Sequence, residues 1–358
     1  MSHRASHRAW LAGGIATALL MLWFVSTGDT ASGARLRSDP EALRLLRAAE
    51  GAASDTSYEG VQYITSWSRS GMSTTSLVNV AHMPGQGTRM RVESTTAEQG
   101  GQMFETADSQ QGRGGLTGYT PKMLDLLARN YAVVRAGEGQ VCGRPTTIIE
   151  ARRADGTAAG RFHIDRATGL MLRRELLDQQ GRAVNLTFFT EIRPSPPKTT
   201  VLMASATPQT VETPWTHQLA GADLGALRYR GWPVQSTLPG DLSLYDARQL
   251  DSRAPVVHLS YSDGLSVVSV FVQRGTLDPA SVAHWHKTTR GGRTVYLRDT
   301  VQQRAVWASR GYVYTILADA PPPVVDRAVA ALPHGDTGFW GRLGRGLNRL
   351  TSWANPFD

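Results

Sequence analysis

Two hydrophobic periods share this chain, one of about 3.6 residues and one of two, and their succession lays out its elements. A helix is expected from about Pro40 to Ala53: Asp39 caps the free N–H groups, Pro40 suits the first helical position, and Leu43, Leu46 and Ala49 fall on one face. The stretch SYEGVQYITSW then switches to alternation, with Tyr58, Gly60, Gln62 and Ile64 on one face of a strand and Val61, Tyr63 and Thr65 on the other. Strands follow at Thr74–His82 and Thr88–Ser94. A second helix, Pro121–Tyr131, has Thr120 as its cap and Leu124, Leu127, Ala128 and Tyr131 at helical spacing. From Thr146 to Ile192 four apolar runs alternate with turns at Asp155-Gly156, Thr168-Gly169 and Gln180-Gly181, the pattern of an antiparallel meander. One face of such a sheet must be covered, and the two helices are the available cover.

Residues 193–214, RPSPPKTTVLMASATPQTVETP, hold five prolines among several Ser and Thr, which neither a central strand nor a long helix tolerates. They read as a linker between two domains, residues 39–192 and residues 215–333. The second is a smaller α+β unit. Val256–Tyr261 and Leu265–Val272 form a hairpin around Asp263-Gly264, a dipeptide that supplies the positive φ of a tight turn. Both faces of the second strand are apolar, Leu265, Val267 and Phe271 on one and Val268, Val270 and Val272 on the other, so it is expected to be covered twice. Strands at Thr294–Arg298, Ala305–Ser309 and Tyr312–Ala318 and a closing helix in PPPVVDRAVAAL complete the unit. In residues 338–355, Phe339, Leu343, Leu347, Leu350 and Trp353 share a face largely opposite Arg342, Arg345 and Arg349, as in a short basic amphipathic helix.

At the amino terminus, Arg4 and Arg8 precede seventeen uncharged residues, Ala9–Val25. Residues 1–33 therefore read as a signal peptide or a signal anchor, which puts the rest of the chain on the extracytoplasmic side of a membrane. Cys142 is the sole cysteine, so an exported fold stands on its core without an internal disulfide. A length of 358 residues with 41% hydrophobic and 19% charged residues suits a globular protein of about two domains. The formal charge is +8, and only Lys122, Lys198 and Lys287 among the 38 basic residues are lysine. The arginines are scattered along the sequence with no aromatic-and-basic stripe, so nucleic-acid binding is not expected.

Candidate chemistry does not assemble. His258, Ser262 and Asp263 are the ingredients of a hydrolase triad, but Ser262 and Asp263 are adjacent in a turn and no Gly-x-Ser-x-Gly elbow exists. His284 and His286 offer two imidazoles where a zinc site needs three or four ligands. Gly291-Gly292 and the glycines around Gly137 lack the strand-glycine-helix context of a phosphate loop. Asp165, Glu175 and Asp178 fall on turns and edges of the meander and read as solvated carboxylates; Cys142 reads as a buried or half-buried bystander. No catalytic residue, metal site or cofactor is expected, and the chain is not read as an enzyme.

Four stretches, DPEALRLLRAAEGAASDTSYEG, LLARNYAVVRAGEGQVCGRPTTIIEARR, FHIDRATGLMLRRELLDQQGRAVNLTFFTEI and YSDGLSVVSVFV, resemble the MucB/RseB family of extracytoplasmic regulators of an envelope-stress sigma factor. The similarity runs in order over about residues 39–333. It implies an α+β fold: an N-terminal domain like the lipoprotein carriers LolA and LolB, a curved antiparallel sheet covered by helices over an apolar cavity, then a smaller C-terminal α+β domain. It also implies a negative regulator that binds and protects the extracytoplasmic segment of a transmembrane anti-sigma factor and releases it on binding a lipid-like ligand. A lipid or lipoprotein carrier is the alternative, needing the cavity but not the second domain. Candidates to line the cavity are Tyr63, Trp67, Met90, Met103, Phe104, Phe188 and Phe189, with plain core as the competing reading. Candidate partner anchors in the second domain are Tyr261, Phe271, Trp285 and Trp307, since large aromatics dominate interface energy.

Overall fold

Capping chemistry and alternation carry through from sequence to structure, here a computed structural model that describes residues 37–68, 71–95, 103–104, 119–196, 217–250, 255–290, 293–299 and 302–333. The segment 1–33, the linker from residue 197 onward and the 338–355 helix lie outside the described residues. Helix α1, Pro40–Asp55, starts at Asp39, whose carboxylate accepts the Glu41 amide at 2.9 Å. Strands β1 (Tyr58–Trp67), β2 (Ser73–Met83), β3 (Gly87–Thr95) and β4 (Met103–Phe104) follow. Helix α2, Pro121–Asn130, is capped by the Thr120 hydroxyl, which accepts the Met123 amide at 3.2 Å. Then come β5 (Ala132–Val141), β6 (Arg144–Arg152), β7 (Ala158–Asp165), β8 (Met171–Leu177) and β9 (Ala183–Arg193).

These nine strands form one antiparallel sheet in the order β4-β3-β2-β1-β9-β8-β7-β6-β5. Two meanders are thus joined by the β1–β9 pairing, and α1 and α2 cover one face. Leu46, Met123 and Leu127 from the helices meet Ile149, Phe162 and Leu172 from the strands in a single core. Strand β5 escapes the sequence pattern because Arg135, Gly137, Glu138 and Gly139 interrupt its alternation; it is an edge strand, where exposure removes the need for an apolar face.

The C-terminal lobe runs β10 (His217–Gln218), α3 (Gly221–Tyr229), β11 (Thr237–Leu238), β12 (Leu242–Leu250), β13 (Val256–Ser262), β14 (Val267–Arg274), a 3-10 turn Pro279–Val282, β15 (His286–Arg290), β16 (Arg293–Asp299), β17 (Gln303–Ser309), β18 (Tyr312–Asp319) and α4 (Pro322–Ala331). Its sheet order is β10-β12-β13-β14-β18-β17-β16-β15, with β11 on β12. Val325 and Val329 of α4 and Leu227 of α3 pack on Val257, Val270 and Ile316. The whole is α+β, and among the described residues no helix is long and apolar enough to cross a membrane.

Both lobes belong to one compact unit, and the turn between β13 and β14 explains why. Residues 261–266 are all buried, and those with side chains are 4% exposed or less. The turn lies against α2: a Cβ on Gly264, where φ is +99°, would sit 2.2 Å from the Leu127 nitrogen and 2.3 Å from its Cα. One residue on, Leu265 is 1% exposed and belongs to the core of the N-terminal lobe. It fills the space over Gly160, whose Cβ would stand 2.8 Å from Leu265 Cδ2. The double coverage expected for this strand is met only in part: Val268, Val270 and Val272 are buried by their own lobe, Val267, Ser269 and Phe271 are half-buried, and the other lobe covers the turn. Gly264→Ala must either push the lobes apart or strain the turn, and it is expected to cost about 2–4 kcal/mol. Urea unfolding measures this, and a wild-type midpoint would contradict the contact.

Candidate functional site

The junction carries a buried polar assembly. Asp263 Oδ1 accepts the amides of Leu265 and Ser266 at 2.8 and 2.6 Å, and Oδ2 accepts the Tyr131 hydroxyl at 2.8 Å. Asn130 donates to the Asp263 carbonyl at 2.9 Å, so the end of α2 holds both the side chain and the backbone of the turn. Burial pushes the Asp263 carboxyl above its ordinary range, although its donors pull the other way. On the facing side Arg174 of β8, 3% exposed, donates to the Leu265 carbonyl at 2.6 Å and to Asp319 at 3.0 Å, and lies over the Tyr119 ring. Breaking a buried pair of this kind by removing one partner typically costs about 3–5 kcal/mol, because the other charge is left unmatched.

The triad ingredients are taken up by this geometry. Ser262 Oγ accepts the Gly264 amide at 2.9 Å and donates to the Ser266 carbonyl at 2.8 Å, which closes the turn. His258 instead stacks on Phe271 with ring centroids 4.3 Å apart, and its Nε2 meets Ser260 Oγ at 3.1 Å.

Beside the junction lies a cleft of about 870 Å³ that both lobes line. Trp67, Leu177 and Val184 come from the first lobe, Leu265, Pro322 and Val324 from the second, with Arg182 and Arg327 among its charged lining. Sequence reasoning missed it, since no local pattern announces that residues 67, 184 and 324 are neighbours.

The seven cavity candidates do not share one pocket. Phe188 and Phe189 point to opposite faces of β9, as consecutive strand residues must. Phe189 packs edge-on against Tyr58 in the helix-covered core, with Met90 on its margin. Tyr63 and Phe188 meet at 5.2 Å on the other face, where Arg173 lies over the Phe188 ring. Trp67 lines the cleft, and the side chains of Met103 and Phe104 lie outside the described residues. On the helix-covered face, however, runs a polar row that the sequence reading passed over. Gln62 and Thr187, both wholly buried, and Asn185 sit at successive positions of the β1–β9 ladder. Among the described residues neither amide atom of Gln62 nor the Thr187 hydroxyl has a protein partner, and Asn185 satisfies only its Nδ2, on Ser66 Oγ at 2.9 Å. The signal was available as three polar residues at inward positions.

Of the partner candidates, Tyr261 and Trp307 are 0% exposed and serve as core: Trp307 stacks on Tyr314, and the Tyr261 hydroxyl donates to the Gln235 carbonyl. Phe271 and Trp285 are half-buried. His284 and His286 are exposed, and among the described residues no group of three or more His, Cys, Asp or Glu is placed to hold a metal. Asp165 is not a solvated carboxylate. It is 1% exposed, paired with Arg144 at 2.7 Å and bound by Thr168, which hold its pKa down against burial. Glu175 joins Arg173, Arg161, Glu150 and Arg152 in a ladder of alternating charge. Cys142 is exposed at a turn with φ 52°, its thiol on the Phe189 carbonyl.

Residues 54–212 match the model of the MucB/RseB N-terminal domain. The sigma factor AlgU regulatory protein MucB of Pseudomonas aeruginosa is 28% identical over 208 residues, 58% of this chain. The match spans 61% of that relative's length. The solved complex of Pseudomonas aeruginosa MucA and MucB is 20% identical with a TM-score of 0.46, covering 83% of this chain and 100% of that one. A structure of MucB gives 20% and 0.45, over 83% of this chain and 99% of the other.

One titration is legible in the geometry. Burial pushes the His258 imidazole down to about 4, against about 6.5 in an unfolded chain. Between those values the unfolded state binds the extra proton, so stability rises with pH and is lost as pH falls through the window. From pH 7.5 to pH 5 the loss assignable to His258 is about 2 kcal/mol. Comparing urea midpoints of the wild type and His258→Phe at both pH values checks it, and the variant should lose that share of the acid sensitivity.

Proposed function

Because residues 54–212 match the MucB/RseB N-terminal domain, we propose that this chain is an extracytoplasmic negative regulator of sigma-factor signalling. It binds and protects a membrane anti-sigma factor, and it sits at the outer face of the membrane, anchored by or cleaved after residues 1–33. The observation that carries this reading is the family match over the N-terminal lobe, together with a relative that regulates a sigma factor. The cleft between the lobes is the surface we assign to the partner. It is concave, and Trp67, Leu177, Val184, Leu265 and Val324 among its lining suit a short, mainly apolar segment of an extracytoplasmic tail. A partner held in the same bilayer gains effective concentration, so a modest intrinsic affinity suffices. Trp67→Ala and Val184→Asp are expected to weaken binding of the purified extracytoplasmic segment of the anti-sigma factor at least roughly tenfold, the worth of about 1.4 kcal/mol, in titration calorimetry. If Phe271→Ala and Trp285→Ala weaken it instead, the contact lies on the C-terminal sheet rather than in the cleft.

The ligand-responsive part of this reading, and the alternative of a lipid or lipoprotein carrier, draw on the polar row under the helices. Each unpartnered buried polar atom costs about 1–3 kcal/mol in the empty protein, and the polar head of a lipid-like ligand supplies the missing partners. Gln62→Leu should therefore raise thermal stability while lowering the fraction of full chain that carries co-purified lipid in native mass spectrometry. Unchanged lipid content together with a lower Tm would return Gln62 to a purely structural role.

A further inference from the structure

The end of the C-terminal lobe away from the junction carries a cluster that none of the roles above uses. Strand β14 leaves the buried turn and ends at Arg274, eight residues and roughly 25 Å along. Three loops converge there. Gly275 donates to the Gly311 carbonyl at 2.9 Å, and the Tyr312 hydroxyl donates to the Gly231 carbonyl at 3.2 Å. Trp232 and Tyr312 lie 5.4 Å apart, with the Arg274 guanidinium over both rings at 5.5 and 5.9 Å. Arg230 and Arg310 are exposed on the flanking loops. Among the described residues neither Arg230 nor Arg274 has a carboxylate within ion-pair distance, and Asp278, the acid next along the chain, caps the Ala280 amide. At the end of α3, Tyr229 is 94% exposed, more than any other large apolar side chain described.

A single exposed aromatic is ordinary. Tyr229 precedes Arg230 on the loop whose Gly231 carbonyl binds Tyr312 of the Arg274–Trp232–Tyr312 stack, and that combination has a chemistry: a tyrosine keeps its ring in the acyl boundary and its hydroxyl in the headgroup layer while arginines meet lipid phosphates. We propose that this tip, Tyr229, Arg230, Arg274 and Arg310, docks on an anionic phospholipid surface. Docking orients the chain with the tip on the bilayer and the junction end directed away. This does not depend on the regulator reading, since it rests on the charge and exposure of the tip alone.

The test uses the full chain reconstituted with vesicles. A fluorophore is placed through Thr276→Cys, an exposed tip position, in a Cys142→Ser background, and a matched one through Asp155→Cys on the N-terminal lobe. Headgroup-quencher lipids report contact in phosphatidylcholine vesicles with and without phosphatidylglycerol. The tip label should be quenched only with phosphatidylglycerol present, and less as salt rises from about 0.1 to about 0.5 M. Arg230→Gln and Arg310→Gln should each lower the ratio of docked to undocked tip about fivefold, with unchanged circular dichroism. Tyr229→Ser should reduce the quenching further. Equal quenching in pure phosphatidylcholine, equal quenching of both labels, no quenching with phosphatidylglycerol, or indifference to the two arginine substitutions would each overturn the proposal.

Discussion

A turn of one sheet seated against a helix of the other is the constraint from which the rest of this architecture follows. At Gly264 the two backbones approach so closely that no side chain fits between them, and at Leu265 a residue of the second lobe completes the core of the first. Arg174 then holds the Leu265 carbonyl with one arm of its fork and Asp319 with another. Apolar burial supplies the attraction across this seam and is non-directional. The hydrogen bonds to Asp263 and Leu265 make it specific, since a shift of register would strand several buried donors at once. The shape of the neighbouring cleft is a by-product of this fit, because Leu265 and Ser266 line it while gripped from both sides.

Polar residues elsewhere divide into two populations with opposite energetics. The arginine and glutamate ladder across β6, β7 and β8 is satisfied by its own members: burial pushes Glu150 up, but Arg161 and Arg152 hold it below its ordinary range. Gln62 and Thr187 face the covered side of the same sheet without protein partners among the described residues. Proteins keep such groups rarely, and where they do the surrounding packing must over-determine them. The N-terminal sheet thus has one face finished electrostatically and one face left open to further hydrogen bonding.

Much of the fold was legible because strong local signals agreed with the tertiary outcome. Asp39-Pro40 and Thr120-Pro121 start the helices as their chemistry dictates, and Asp155-Gly156, Thr168-Gly169 and Gln180-Gly181 turn the meander where expected. Elements whose alternation is broken were not legible. Helix α3 buries only Leu227 and contains two glycines, and β12 pairs Asp246 with Arg248 on one face. Tyr261 and Trp307 show the limit of reading aromatic side chains as interface: a sequence reveals that a large ring must be covered, and here its own lobe covers it. The burial of Asp165 was hidden for a similar reason, since its partner Arg144 lies on a different strand. The cleft and the basic tip were invisible because each is assembled from segments far apart in the chain.

Leu265 also sets an order of events. A ribosome delivers the N-terminal lobe first, and that lobe lacks one wall of its core until the β13–β14 turn emerges, after the linker and four further strands. Meanwhile Arg174 and the surface around Gly160 stand open to solvent or to whatever apolar chain is near. Such a socket invites a helper protein, or the equivalent turn of a second copy, in which case two chains would exchange hairpins.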